Sequence, residues 1–145
     1  TRVVVNDRLD VALACGADGV HLPGSSIPPA SARTMVPAGF VVGCSVRTAD
    51  EARLAARCAD YVVFGTVFAS RSKPGHPPSG LTALRETVTS SRVPVLAIGG
   101  VSTANAASIA ATGAAGVAAI DLFAGPPVGE IEAAVQAVRA AFGRS

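Results

Sequence analysis

The chain has 145 residues, half of them hydrophobic, with 4% aromatics and a formal charge of +2. That balance suits one domain with a substantial core over residues 1–145. So small a charge excludes a nucleic-acid or anionic-membrane surface built on electrostatics, and the few aromatics, with no Trp, exclude a stacking platform for single strands.

Six short, Val-rich apolar runs read as buried parallel strands. The first, Val3–Val5, leads to Asn6 and Asp7. Asp7 is a candidate Mg2+ ligand and equally a candidate N-cap for the helix that follows. The second run, Gly19–Leu22, carries His21, expected to pack inward with a backbone partner, and continues into Pro23–Ser26. The third, Val41–Ser45, ends on Gly43, Cys44 and Ser45. The Ser45 hydroxyl is a candidate contact for a phosphate oxygen; a plain turn residue is the other reading. Thr48 and Glu51 form a capping-box pattern that opens a helix.

The fourth run, Tyr61–Phe64, is followed by GTVFASRSKPGHPPSG at residues 65–80. This Gly- and Pro-rich stretch holds Arg71, Lys73 and His76. It reads either as a basic flap that closes on an anionic ligand or as a solvated connection. Within it His76 has the pKa range best suited to a general acid or base. Leu81, Leu84 and Val88 then line a helix. The fifth run, Val95–Ile98, gives way to Gly99 and Gly100, with Ser102 and Thr103 beyond. Two glycines there predict either a cradle whose N–H groups hold a phosphate or a tight strand-to-helix turn. The sixth run, Val117–Ile120, ends at Asp121, whose carboxylate would oppose a neighbouring phosphate unless it caps a helix or faces away. Val128, Ile131, Ala134, Val135, Val138, Ala141 and Phe142 form one helical stripe.

A joint recurs between helices and strands: ACGADGV at 14–20, ARCADYV at 56–62 and ATGAAGV at 111–117. Gly16 and Gly113 suit the left-handed residue that closes a helix. Such repetition implies βα units, in a doubly wound open sheet or a (β/α)8 barrel. A barrel needs eight units and roughly 200–250 residues, and the six runs fall two short of it. Cys15, Cys44 and Cys58 lack metal-ligand spacing and are expected to be small buried hydrophobes in a reducing compartment. The stretch Ala104–Ala124 is rich in Ala and Gly and carries Asp121, so no membrane span is expected.

These residues resemble the thiamine-phosphate synthase and thiazole tautomerase family. The likeness runs in order through VNDRLDVALACGADGVHLP, VGCSV, DYVVFGTVF, SKPGHPPSGL, VPVLAIGGV with Asn105 downstream, and GAAGVAAI. It implies a (β/α)8 TIM barrel, here with about six βα units and the first two strands lacking. It also implies a cytoplasmic enzyme of thiamin biosynthesis, with thiazole phosphate bound at the C-terminal face of the barrel. The synthase joins hydroxymethylpyrimidine diphosphate to thiazole phosphate with Mg2+; the tautomerase aromatises the thiazole phosphate without metal. By the resemblance Asp7 is a Mg2+ ligand, Ser45 and Lys73 contact the diphosphate with Arg71 on the same loop, and Gly99, Gly100 and Ile120 hold the thiazole phosphate. Ser45, Lys73 and His76 are the catalytic candidates. The family's second acidic metal ligand is Ser26 here, its serine near the last strand is Asp121, and the tautomerase histidine is Thr66. A chain opening on Thr1 fits a piece of a longer protein, or a short form whose strand edges are covered in a homo-oligomer. A phosphate-ligand-binding module without turnover, or an unrelated phosphosugar barrel, are the other functional expectations.

Overall fold

Val-rich runs flanked by thin, Ala-rich helices can bury both faces of a parallel sheet. The computed structural model of the protein describes residues 1–70, 75, 77–124 and 127–143. Within them strand and helix alternate: β1 (Val4–Asn6), α1 (Leu9–Ala14), β2 (Gly19–Leu22), α2 (Pro29–Met35), β3 (Val41–Val46), α3 (Ala49–Ala55) and β4 (Tyr61–Gly65). They are followed by α4 (Gly80–Ser90), β5 (Val95–Ile98), α5 (Ala106–Ala110), β6 (Gly116–Ala118), α6 (Asp121–Ala124) and α7 (Val128–Ala141). All neighbouring strands pair in parallel, and their order in the sheet is their order in the chain.

That order decides between the two architectures. Right-handed crossovers always advancing in one direction put every helix on the same face, so the sheet curls as a barrel does. A doubly wound sheet needs a reversal of strand order, and this sheet has none. The fold is thus TIM-barrel type with six βα units.

The helix-facing side is the core. Leu22, Cys44 and Val62 share one register row, and Val46, Phe64, Ala97 and Val117 another. Against them lie Leu9, Ala12, Ala32, Ala52, Leu84 and Ile109 from the helices. Alanine at the centre of α1, α2 and α3 lets short helices come close to the strands. The predicted stripe of α7 holds: Ala134 is buried, and Ile131, Val135, Val138, Ala141 and Phe142 are half-buried, while the side chain of Val128 lies outside those described. Leu81, Leu84 and Val88 also face the core as expected. Gly16 and Gly113 take φ of 68° and 88°, the left-handed closure predicted at the joints.

Three local expectations are corrected. The first strand is shifted one residue, and the last ends at Ala118, not Ile120, because the Ile120 carbonyl already accepts from Phe123 and Ala124 and starts α6. Cys15 is exposed rather than buried, at the C-cap of α1; Cys44 is buried and Cys58 half-buried. The cap at α3 forms, with the Glu51 N–H donating to Thr48 Oγ1 at 3.1 Å, but Glu51 reaches back to the Arg47 N–H at 2.6 Å rather than to that of Thr48.

At the N-terminal end of the sheet one guanidinium ties three segments together. Arg33 of α2 donates to the carbonyls of Cys58 and Phe40 and to Asp60 Oδ2 at 2.6 Å, and that same oxygen accepts from the Val42 N–H at 2.7 Å. Burial alone would raise the Asp60 carboxyl, but the Val42 N–H and the Arg33 charge together outweigh it and hold it below its usual range. A carboxyl lowered by folding stabilises the protein above its unfolded range and loses that contribution as pH falls through its folded value. Urea unfolding at pH 7 and pH 3 should show wild type losing more stability on acidification than Asp60→Asn; equal losses would mean that Asp60 carries none of the acid sensitivity.

Candidate functional site

In a parallel barrel-type sheet, ligands sit beyond the C-terminal ends of the strands. Asp7 follows β1, Pro23–Ser26 follow β2, Ser45 lies near the end of β3, Thr66 follows β4, Gly99–Gly100 follow β5, and Ile120–Asp121 follow β6. One rim therefore collects the candidates that the structure describes. Arg71, Lys73 and His76 lie outside the described residues. The base of their loop is nonetheless fixed: the N–H groups of Ser79 and Gly80 donate to the carbonyls of Thr66 and Val67, and the Phe68 N–H donates to the Gly99 carbonyl at 3.1 Å. The loop thus leaves and re-enters beside the glycine turn.

Gly99 and Gly100 adopt φ of 99° and 60°, a region that L side chains avoid. A Cβ on Gly99 would come within 2.9 Å of the Thr66 Cα, and one on Gly100 within 2.5 Å of the Ala69 carbonyl oxygen. Close packing and backbone conformation therefore both demand glycine. Asn105 pins the turn from below: its amide donates to the Gly100 carbonyl and its Oδ1 accepts from the Ser102 N–H, each at 2.9 Å. Among the described residues the N–H groups of Gly100 and Val101 have no acceptor. Gly99, Gly100 and Val101 are all half-exposed.

Asp7 is exposed, with φ of 66°, and its N–H donates to the His21 carbonyl at 2.8 Å. It does not cap the helix as expected; Arg8 occupies that position without a side-chain bond. Ser26 is half-buried in a turn closed by its own N–H to the Pro23 carbonyl. Among the described residues no three His, Cys, Asp or Glu side chains assemble as metal ligands. Asp121 is exposed as the first residue of α6.

The sheet face opposite the helices carries a cluster that sequence reasoning missed. Asn6, His21, Gly43 and Tyr61 lie in register across four strands. The Tyr61 ring leans over Gly43, where a Cβ would collide with it, and stacks on His21 with centroids 5.7 Å apart. Tyr61 Oη is 3.2 Å from His21 Nδ1, and Ser45 Oγ is 2.9 Å from His21 Nε2. The expected backbone partner of His21 is thus replaced by two hydroxyls. A glycine in mid-strand was the only sequence signal that a ring crosses there. Burial depresses the His21 pKa, favouring neutral imidazole, and raises that of Tyr61, keeping its hydroxyl protonated. Burial, with Glu51 adding to it, pushes the Cys44 thiol up to about 11, so it stays protonated too. Val63 and Leu96 continue the face beside Ser45, and Ile98 lies one row further on, making an apolar wall next to these polar groups.

A cavity of about 440 Å³ lies at the opposite, N-terminal end, between Arg2, Arg33, Gly39, Phe40, Val41, Asp60 and Tyr61. Arg33 and Asp60 there already pair with each other, while Arg2 adds a further positive charge to the lining.

A family model described as thiamine monophosphate synthase matches residues 1–123. The chain is 46% identical over 138 residues to the thiamine-phosphate synthase of Methanoculleus marisnigri, covering 94% of this chain and 64% of that protein. It is 46% identical over 138 residues to the thiamine-phosphate synthase of Roseiflexus castenholzii, covering 94% and 60%. Among solved structures, thiamine phosphate pyrophosphorylase from Pyrococcus furiosus superposes with a TM-score of 0.82 at 34% identity, over 97% of this chain and 66% of that one. A 3-hexulose-6-phosphate synthase superposes with a TM-score of 0.67 at 27% identity, over 92% and 66%. The chain thus spans between 60% and 64% of the length of these two sequence relatives.

Proposed function

We propose, from the premise that this chain belongs to the thiamine monophosphate synthase family, that its C-terminal rim binds thiazole phosphate and a pyrimidine diphosphate and serves their joining into thiamine phosphate. The observation that carries the reading is the Gly99–Gly100 turn at the end of β5, where the N–H groups of Gly100 and Val101 have no acceptor among the described residues. Fixed donors of this kind suit an anion, and in barrels the late strands commonly supply the phosphate site.

The reaction forms a bond from the thiazole nitrogen to the pyrimidine methylene carbon. The C–O bond to diphosphate breaks, and the leaving group takes the electron pair. The chain's task is to hold both reactants in line and to meet the charge that grows on the departing oxygen. Gly100 and Val101 hold the monophosphate end. Ser45, exposed near the end of β3, directs its hydroxyl at the diphosphate. Arg71 and Lys73 bring positive charge from the loop anchored beside Gly99. Val63, Leu96 and Ile98 form an apolar wall that keeps water from the electrophilic carbon. Mg2+ is commonly bound by one or two carboxylates together with substrate phosphates. Asp7, exposed at the end of β1, fits as a single such carboxylate, with no second acid at Ser26. The ion would neutralise charge on the departing diphosphate.

A second reading follows from the 60–64% of relatives' length that the chain spans: binding of the phosphorylated thiazole without turnover. Tautomerase chemistry is less well supported, because Thr66 offers a hydroxyl where a proton-carrying imidazole would be needed.

The test is to supply the chain with both substrates and Mg2+ and to measure thiamine phosphate, alongside the melting temperature with thiazole phosphate alone. Ligand at a hundred times its Kd stabilises by about 2.7 kcal/mol, a rise of roughly 5–10 °C for a domain of this size. Product together with that rise supports the synthase reading. A rise without product supports the binding reading. Neither product nor rise overturns both.

A further inference from the structure

We propose that Tyr61 and His21 form a directional hydrogen-bond relay that makes Ser45 an obligate donor toward an anionic ligand. The proposal rests on reading the Ser45 side of the rim as a diphosphate site, and it assigns Tyr61 and His21 as positioning residues.

The geometry allows two polarities. In one, Tyr61 Oη–H donates to His21 Nδ1, Nε2–H donates to Ser45 Oγ, and the Ser45 proton points outward. In the other, Ser45 donates to Nε2, Nδ1–H donates to Tyr61, and Ser45 presents only lone pairs. The first repels nothing negative; the second repels a phosphate and resembles an activated nucleophile.

Burial decides between them. Tyr61 is half-buried, and among the described residues its hydroxyl has no acceptor other than His21. Ser45 is exposed and can give its proton to water or to a ligand. A hydroxyl withdrawn from water loses more by keeping its proton unpaired than an exposed one does. The Tyr61 proton therefore goes to His21, and the remaining two bonds follow. A neutral imidazole has one donor and one acceptor nitrogen, so fixing one nitrogen fixes the other. Nothing ionises and no bond beyond hydrogen bonds changes.

The relay spans β2, β3 and β4, and Gly43 is the device that permits it. His21 and Tyr61 are both register partners of Gly43, and any side chain there would strike the Tyr61 ring. A sequence with a larger residue at position 43 would keep the sheet and lose the tyrosine's reach to the imidazole.

The experiment is 15N NMR of labelled histidine at neutral pH on the whole chain, with inorganic pyrophosphate as the binding probe. Wild type is expected to show His21 as the Nε2–H tautomer, with Nδ1 carrying the shift of a hydrogen-bond acceptor. Tyr61→Phe should remove the acceptor shift from Nδ1 and weaken pyrophosphate binding about five- to tenfold, the loss of an oriented donor rather than of a charge. His21→Gln, whose amide can accept from Tyr61 and donate to Ser45, should retain more affinity than His21→Leu. If a variant unfolds, the tautomer of wild type still decides the matter. An Nδ1–H tautomer in wild type, or an Nδ1 shift unchanged in folded Tyr61→Phe, overturns the relay. Failure of wild type to bind pyrophosphate, with the Nε2–H tautomer present, would sink the diphosphate reading and leave the relay standing.

Discussion

Gly100→Ala is expected to weaken thiazole phosphate binding by at least a hundredfold and to destabilise the protein. Two independent effects act at that position. The backbone sits at φ of 60°, where an L side chain is strained. The new methyl would also approach the Ala69 carbonyl oxygen to 2.5 Å and the Phe68 Cβ to 2.7 Å. Strain and overpacking together cost about 2–5 kcal/mol, and the turn can relieve them only by moving. Movement would tear the Gly100 carbonyl from the Asn105 amide and turn the Gly100 and Val101 N–H groups away from their common target. Urea unfolding gives the stability change, and calorimetry with thiazole phosphate gives the affinity. A variant that is destabilised but binds normally would mean that the turn is merely structural.

Phe64→Ala is expected to cost about 3–5 kcal/mol, a large share of the 5–15 kcal/mol that holds a domain together. Phe64 is fully buried on the helix-facing side, in one register row with Val46 and Ala97. Ala97 is already minimal, so the neighbouring strand has little side chain with which to fill the space. Leu54, 68% exposed on α3, serves as the control; Leu54→Ala should change stability by no more than about 0.5 kcal/mol. The denaturant midpoint should fall for Phe64→Ala with the slope unchanged. Equal effects at the two positions would contradict the assignment of the core to the helix-facing side.

The fold was legible because its determinants are local. A glycine that closes a helix, a Val-rich run and a stripe of small apolar residues each act within a few positions. The strands at Gly19–Leu22 and Val95–Ile98 stand where the sequence predicts them. Strand order is not local: the βα pattern by itself leaves two architectures open, the family resemblance implies the barrel, and the pairing of neighbours establishes it. The same distinction separates the parts of the site. Gly99 and Gly100 announced themselves by residue type. The contact between His21 and Tyr61 did not, because it depends on register across β3 and on what is absent at Gly43. The exposure of Cys15 was missed for a similar reason. Its Ala-rich surroundings resemble a core in sequence, but the helix ends at Ala14 and leaves Cys15 exposed at its C-cap.

The central claim is that the amides of the Gly99–Gly100 turn grip a phosphate. It is tested most directly by following the 15N–1H resonances of the chain as thiazole phosphate is added. The Gly100 and Val101 amide protons should move downfield together, saturating with the same Kd as the thermal shift. Resonances of these two amides that stay fixed while the ligand binds elsewhere would contradict it.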